Sequence, residues 1–155
     1  MGRDLDSFRG DTVQAVTLAQ AQSIVTAALA HARAKSMQPL AVIVLDARGV
    51  PKAFVAEDGT SLRRFEIAHG KAHGALAMGI GSRTLGTRAQ ERPHFIAAVT
   101  QVVGGALVPV PGGVLIRGTD REIVGAAGIS GDSSDNDEEA AVAGIMAAGL
   151  TPDPG

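Results

Sequence analysis

Residues 125–140 have the sequence Gly-Ala-Ala-Gly-Ile-Ser-Gly-Asp-Ser-Ser-Asp-Asn-Asp-Glu-Glu-Ala, in which an apolar segment, a glycine turn and an acidic segment follow one another directly. The apolar part, over 123–129, predicts a short buried strand. Gly128 and Gly131 are predicted to bracket a tight turn, because glycine adopts a positive φ without steric cost. A strand and a turn therefore lead straight into the acidic segment.

The acidic segment predicts the first turn of a helix. Ser134, Asp135 and Asn136 are all good N-cap residues, and the acids at 137–139 fall where the helix dipole favours negative charge. We therefore expect a helix to begin near Asp135. The acids have two interpretations: they cap and solvate the helix, or they form part of a ligand site on a turn with free backbone N–H groups.

Outside this stretch, apolar periodicity predicts further helices and strands. Their order is typical of an α+β fold, a compact single domain with an antiparallel β-sheet flanked by helices. We expect a flexible N-terminal lead-in over 1–16, the domain over 17–150 and a C-terminal tail over 151–155. The predicted helices cover 17–35, 62–78, 82–91, 95–101 and 135–148, and the predicted strands cover 40–45, 50–56, 114–117 and 123–129.

The composition limits the function classes. The 155 residues carry 14 basic and 16 acidic side chains, a formal net charge of −2, which disfavours non-specific nucleic-acid binding. The absence of cysteine excludes disulfides and thiolate chemistry, and no apolar stretch reaches membrane-spanning length. We therefore expect a cytoplasmic protein. Its 20 glycines, with no Trp or Tyr, favour close backbone packing and association into an oligomer.

The predicted helix over 62–78 contains the most reactive group of side chains. Glu66, His69 and His73 are spaced i, i+3 and i+7, which places them on one helix face. Two histidines and a carboxylate can bind iron, and a neutral imidazole is also a haem ligand. His69 and His73 are therefore candidate metal or haem ligands. Lys71 lies at a different helical angle, where it could bind a carboxylate or act as a base.

Three segments are similar to a known family: Phe-Glu-Ile-Ala-His-Gly-Lys-Ala at 65–72, Pro-Val-Pro-Gly-Gly-Val-Leu-Ile at 109–116, and the segment 124–138. In order and spacing they resemble the GlcG/HbpS-like family of small haem-binding proteins, which is related to the PduO C-terminal domain. The resemblance implies a compact α+β fold, a small-molecule ligand with haem as the cofactor, and relatives encoded in catabolic operons. It also implies a homo-oligomer, dimer-based and up to an octamer.

The family pattern transfers onto individual positions of this chain. The Asp-Ser-Ser-Asp-Asn-Asp-Glu segment at 132–138 is longer than the family version, and His69 and His73 fall where the pattern does not require histidine. The matching positions are Ile67, Ala68, Lys71 and Ala72 for its Ile-Ala-x-x-Lys-Ala element, Gly112 and Gly113 for its Gly-Gly loop, and Ser130, Gly131 and Asp137 for its Ser-Gly turn and the following Asp.

These observations support a leading hypothesis and two alternatives. The leading hypothesis is a homo-oligomeric GlcG/HbpS-like protein that binds a small ligand such as haem. The second is a cofactor-free isomerase, hydrolase or lyase for a small carboxylated metabolite, in which Lys71 holds the carboxylate and Asp137 or Glu138 is the acid–base group. The third is an oligomeric scaffold without a ligand. The candidate ligand-binding residues are Glu66, Gly112, Gly113, Ser130, Gly131, Asp132 and Asn136.

Overall fold

The computed structural model describes residues 14–155, so most of the predicted lead-in, residues 1–13, lies outside the described residues. Within 14–155 the chain forms five helices and five strands. The helices are α1 (Leu18–Ala34), α2 (Arg64–Met78), α3 (Ser82–Glu91), α4 (Pro93–Val102) and α5 (Ser134–Ala147). The strands are β1 (Ala41–Asp46), β2 (Pro51–Ala56), β3 (Gly113–Arg117), β4 (Ile123–Ser130) and β5 (Thr151–Asp153).

The strands form one open antiparallel sheet in the order β2-β1-β4-β3-β5. β1 is buried along its whole length, because its run of Val, Ile and Leu side chains alternates between two covered faces. The edge strand β2 is mostly exposed. At the opposite edge, β5 contains Pro152, which an edge strand tolerates because it need not donate to a neighbour. The predicted α+β class is confirmed.

Helices cover both faces of the sheet. On one face, α1 and α5 pack on alternate β1 residues such as Val42 and Val44. On the other face, the alanines of α2 pack on Ile43 and Leu45. Burying such a side chain contributes about 2 kcal/mol, so both faces stabilise the sheet. No helix among residues 14–155 is both long and apolar enough to cross a membrane.

Three boundaries differ from the sequence-based prediction. Val16 is buried and its N–H donates to the carbonyl of Val124 at 2.9 Å, although the pattern places it in the lead-in. Thr151–Asp153 pairs with β3, where the pattern predicts a tail. The N-cap of α5 is Ser133, whose Oγ accepts the N–H of Asn136 at 3.2 Å, one position before the predicted caps. Val16 and Thr151–Asp153 are held by partners distant in sequence, which a local pattern does not show. The start of α5 differs by one residue, which is common at helix ends.

Gly128 does not belong to a turn, so that part of the prediction is wrong. It lies within β4, opposite Gly113 of β3. A Cβ on Gly128 would lie 2.1 Å from the carbonyl oxygen of Ala68, which is part of α2. Glycine is therefore required here because α2 approaches the sheet at backbone distance. Gly131, with a φ of +156°, does lie in the turn that follows the strand.

Replacing Gly128 by alanine should lower the free energy of unfolding by about 3 kcal/mol, because the added methyl group overlaps the backbone of α2. The matched control is Gly104→Ala, where a Cβ meets nothing within 4 Å and only the φ of +80° opposes the substitution. There we expect a loss of about 1 kcal/mol. Urea denaturation followed by circular dichroism measures both, and equal stability of the two variants would contradict the close approach of α2.

Candidate functional site

A buried ion pair joins α2 to α5. Lys71 Nζ lies 3.0 Å from Asp137 Oδ2, and it also donates to the carbonyl of Ile129 at 2.9 Å. Only 3% and 2% of the Lys71 and Asp137 side chains are exposed. Since α2 and α5 pack on opposite faces of the sheet, the pair ties the two helical layers together at the end of β4.

The two charges depend on each other. Burial lowers the pKa of Lys71, and the nearby Asp137 carboxylate opposes that shift. Burial likewise raises the pKa of Asp137, against the charge of Lys71 and the N–H of Asp132, which donates to Asp137 Oδ1 at 2.9 Å. Removing either partner would leave a buried charge without compensation. Each charge of the pair therefore depends on the other for compensation in the interior.

The predicted Gly-Gly loop closes over Lys71. A Cβ on Gly112, whose φ is +120°, would lie 2.9 Å from Lys71 Nζ, and a Cβ on Gly113 would lie 2.2 Å from the Lys71 carbonyl oxygen. The N–H of Gly113 donates to Ser82 Oγ at 2.7 Å, and the Gly112 carbonyl accepts the N–H of Ile129 at 3.0 Å. These backbone groups are thus engaged within the protein.

The acidic turn forms a network of capping hydrogen bonds. Asp132 Oδ2 accepts the N–H of Gln38 at 2.6 Å, and Oδ1 accepts the N–H of Ser133 and the Nδ2 of Asn136, both at 2.7 Å. These bonds, that from Gln38 foremost, hold the pKa of Asp132 below its ordinary value. The network favours the capping interpretation of Asp132 and Asn136.

Glu138 and Ser130 also have partners within the protein. Arg83 of α3 places Nε 3.0 Å from Glu138 Oε2, and its Nη2 donates to Asp135. Ser130 is buried, and its Oγ accepts from Arg64 Nη1 at 3.0 Å. Asp135 and Glu138 at the start of α5 therefore pair with α3, and the buried Ser130 bonds to the start of α2.

The structure brings Lys71, Gly112, Gly113 and Asp137 together in a packed region. A catalytic lysine and acid need contact with a substrate, and small-molecule sites are usually concave and accessible. Lys71 and Asp137 are instead bonded to each other and almost fully buried. This geometry does not favour the acid–base chemistry of the enzyme hypothesis.

A second group of candidate residues lies on the outer surface of α2. Phe65 and His69 stack with ring centroids 5.8 Å apart and planes 8° apart, and His69 and His73 lie 5.4 Å apart. Phe54 of β2 meets Phe65 edge-on at 4.9 Å. We call these four side chains the aromatic–histidine row. Its two phenylalanines are 40% and 42% exposed, so the row offers a surface to a ligand.

The two imidazoles of the row differ in their surroundings. Burial, followed by the proximity of His73, lowers the pKa of His69, which favours the neutral form of its ring. His73 Nδ1 lies 2.8 Å from the Ala106 carbonyl oxygen. Because a carbonyl only accepts, Nδ1 carries the proton, and Nε2 of the neutral ring has the lone pair. An imidazole oriented in this way is a good metal ligand.

Glu66 does not complete a three-residue metal site with these histidines. Its carboxylate pairs with Arg63 at 3.1 Å. Within the part of the chain that the structure describes, no group of three or more acidic or histidine side chains is arranged to hold a metal ion. His69 and His73 are thus candidates as single ligands to a metal complex that brings its own equatorial ligands, as haem does.

Sequence spacing does not identify Phe54 as part of this surface. Phe54 lies on β2, opposite Ile43 of β1, whereas the rest of the row belongs to α2. The sequence feature that could have drawn attention to Phe54 is the small number of aromatic residues, because the chain has 4 Phe and no Trp or Tyr. Two of these few aromatic side chains lie next to the paired histidines.

A cavity of about 700 Å³ lies elsewhere in the protein, where α1 begins. Lys52, Val124 and Leu150 are among the residues that line it. None of its described lining residues is aromatic, acidic or a histidine, so it offers no ligand for iron. The aromatic–histidine row is therefore the better candidate site.

Fold and site together define a small α+β protein, with an open antiparallel sheet between helical layers and paired histidines on one helix. A family model described as "Haem degrading protein HbpS-like" matches residues 16–146. The chain therefore belongs to the HbpS-like family, and the resemblance deduced from the sequence is confirmed. None of the curated proteins matches this sequence.

Solved structures with the same fold agree with this assignment. The complex of PduOC with haem has a TM-score of 0.78 and 25% identity, covering 88% of this chain and 96% of that one. Klebsiella pneumoniae ORFY has a TM-score of 0.80 and 20% identity, with 91% and 95% covered. A Streptomyces reticuli HbpS double mutant has a TM-score of 0.75 and 22% identity, with 94% and 93% covered. The last two show similarity of fold.

Replacing Lys71 by methionine, or Asp137 by asparagine, should each lower the free energy of unfolding by about 3–5 kcal/mol, because each leaves one buried partner uncompensated. The double variant Lys71→Met, Asp137→Leu should lose less than the sum of the two single variants. Urea denaturation measures all three. The control, Arg63→Met, breaks the exposed pair with Glu66 and should cost less than about 1 kcal/mol. Single variants as stable as this control would contradict the structural role of the pair.

Proposed function

We propose that this protein binds haem at the aromatic–histidine row, with His73 as the iron ligand. The observation that carries the proposal is the orientation of His73. Its Nδ1–H donates to the carbonyl of Ala106, so Nε2 of the neutral ring is the nitrogen able to coordinate iron. His69 is the next imidazole in the row, and burial lowers its pKa and so favours the neutral ring.

The rest of the row suits a planar, largely apolar ligand. Phe54 and Phe65 present partly exposed aromatic surface beside the histidines. Covering that surface with a ligand would contribute about 25 cal/mol for each Å² of apolar area removed from water. Bound haem would supply the redox and ligand-exchange chemistry of iron. The phenylalanines would hold the ring system, and His73 would bind the iron.

Two comparisons support haem as the ligand. The family description names haem degradation, and the PduOC structure, 25% identical to this chain, is a haem complex. This support concerns the identity of the ligand. The location of the site rests on His73 and its neighbours in the row.

We also propose that the protein is a homo-oligomer. Large apolar side chains are exposed on a single subunit, foremost Leu62 at 86% and Val102 at 84%. A second copy of the chain would remove such groups from water. A dimer-based assembly up to an octamer stays a prediction from the family resemblance, as do a cytoplasmic location and a role in a catabolic pathway.

Titration of the purified protein with hemin should shift the Soret band and saturate at a fixed stoichiometry. His73→Ala should abolish the shift, because it removes the iron ligand, and added imidazole should restore it by occupying the vacated position. His69→Ala should weaken binding without abolishing it. Absorbance spectra in the Soret region measure each effect.

The control for this titration is His94→Ala, which removes an exposed histidine on α4, a helix that contributes no side chain to the row. It should bind hemin as the wild type does. His73→Gln provides a second check on folding, because its side-chain amide can still donate to the Ala106 carbonyl. A wild-type spectrum that is unchanged at micromolar hemin would refute the proposed function, and a normal shift in His73→Ala would refute the assigned ligand.

Light scattering coupled to size-exclusion chromatography should give a mass at least twice the 15.7 kDa of one chain. Leu62→Ser or Val102→Ser should lower that mass, because each replaces an exposed apolar group that an interface would bury. Gln101→Ser, at an exposed polar position next to Val102, is the control and should leave the mass unchanged. A wild-type mass of one chain would contradict the homo-oligomer.

A further inference from the structure

The turn between β1 and β2 approaches His73 closely. Gly49, in this turn, has a φ of +82°, and a Cβ built on it would lie 3.7 Å from His73 Cδ2, the ring carbon next to Nε2. A cavity of about 180 Å³ separates the turn from α2. The turn therefore brings Arg48 to the cavity that the His73 ring also lines. The lining residues are Ala47, Arg48, Gly49, His73, Leu76 and Ala77.

The backbone of Arg48 is fixed, while its guanidinium has donors available. Asp46 Oδ1 accepts the N–H of Arg48 at 2.9 Å and that of Val50 at 3.1 Å, which holds the turn. Arg48 Nη2 lies 3.7 Å from Asp46 Oδ2, beyond hydrogen-bond distance, and 79% of the Arg48 side chain is exposed. Such a long, exposed pair contributes little to stability. Arg48 can therefore turn towards an anion without losing a strong partner.

The charge around the turn favours an anionic group. Asp46 is buried, with 4% of its side chain exposed, and one oxygen of its carboxylate, Oδ1, accepts two backbone N–H groups. Arg48 Nη2 lies 3.7 Å from Asp46 Oδ2, whereas Lys52 lines the cavity where α1 begins. One cationic side chain, that of Arg48, thus lies both beside this enclosed carboxylate and at the cavity that His73 lines. The exposed charge at the turn is positive.

We propose that Arg48 binds a carboxylate of the ligand that His73 coordinates, which makes the β1–β2 turn the anion-binding end of the site. The inference rests on the proposed haem function, because haem carries two propionate carboxylates. A guanidinium binds a carboxylate through two parallel hydrogen bonds, which fix orientation as well as adding affinity. Arg48 thereby sets how the ring system lies along the aromatic–histidine row.

The test compares hemin with hemin dimethyl ester, in which both propionates are uncharged. Wild type and Arg48→Gln are titrated with each ligand and followed in the Soret region. We expect Arg48→Gln to bind hemin about tenfold more weakly, as expected for the loss of one charge-assisted contact. It should bind the ester as tightly as the wild type does. Arg88→Gln, at an exposed arginine on α3, is the matched control and should leave both affinities unchanged.

The outcomes separate this inference from the haem proposal. Unchanged hemin affinity in Arg48→Gln, or an equal loss for hemin and its ester, would overturn carboxylate binding by Arg48 while haem binding stands. No Soret shift in the wild type with either ligand would refute the haem proposal itself. Circular dichroism of Arg48→Gln shows whether the turn and sheet are intact, and Arg48→Lys, which keeps the charge without the paired donors, should bind hemin with intermediate affinity.

Discussion

The ion pair between Lys71 and Asp137 joins helices that pack on opposite faces of the sheet. Its geometry demands small neighbours, and Gly112 and Gly113 lie where any side chain would overlap Lys71. Because a buried charge is costly without its partner, the Gly-Gly loop, the end of β4 and the start of α5 must adopt their positions together. The acidic turn belongs to the same arrangement, since the N–H of Asp132 completes the hydrogen bonding of the Asp137 carboxylate.

Helix α2 packs on the sheet with one side, and its other side holds the proposed ligand-binding residues. Its inner side carries alanines and glycines that let the sheet and the neighbouring loop approach at backbone distance. Gly70, for example, faces Val108, where an added Cβ would lie 2.6 Å from a methyl carbon. Its outer side carries Phe65, His69 and His73, three of the four side chains of the aromatic–histidine row. Because the inner side holds the helix rigidly, His69 and His73 have defined positions without forming part of the core. Such support lowers the ordering cost when a ligand binds.

The candidate site separates what residue spacing can predict from what it cannot. The i, i+4 spacing of His69 and His73 is enough to place both rings on one face of a helix, and the structure has them in contact. Spacing does not reveal that the carbonyl of Ala106 orients His73, because the two residues lie on different elements. The family pattern likewise includes both Lys71 and Asp137. Their residue types alone do not show whether the two side chains bind a ligand or form an ion pair with each other.

Local pattern in the chain was sufficient for the fold class, the family and most element bounds, because apolar periodicity, caps and glycine turns act over a few residues. Gly128 shows the limit, since the same residue suits a turn or a close contact and only the approach of α2 distinguishes them. The tertiary structure decided which side chains are buried, the pairing of Thr151–Asp153 with β3, and the exposure of Phe54 and Phe65. These properties depend on contacts between segments far apart in sequence, which a local pattern does not contain.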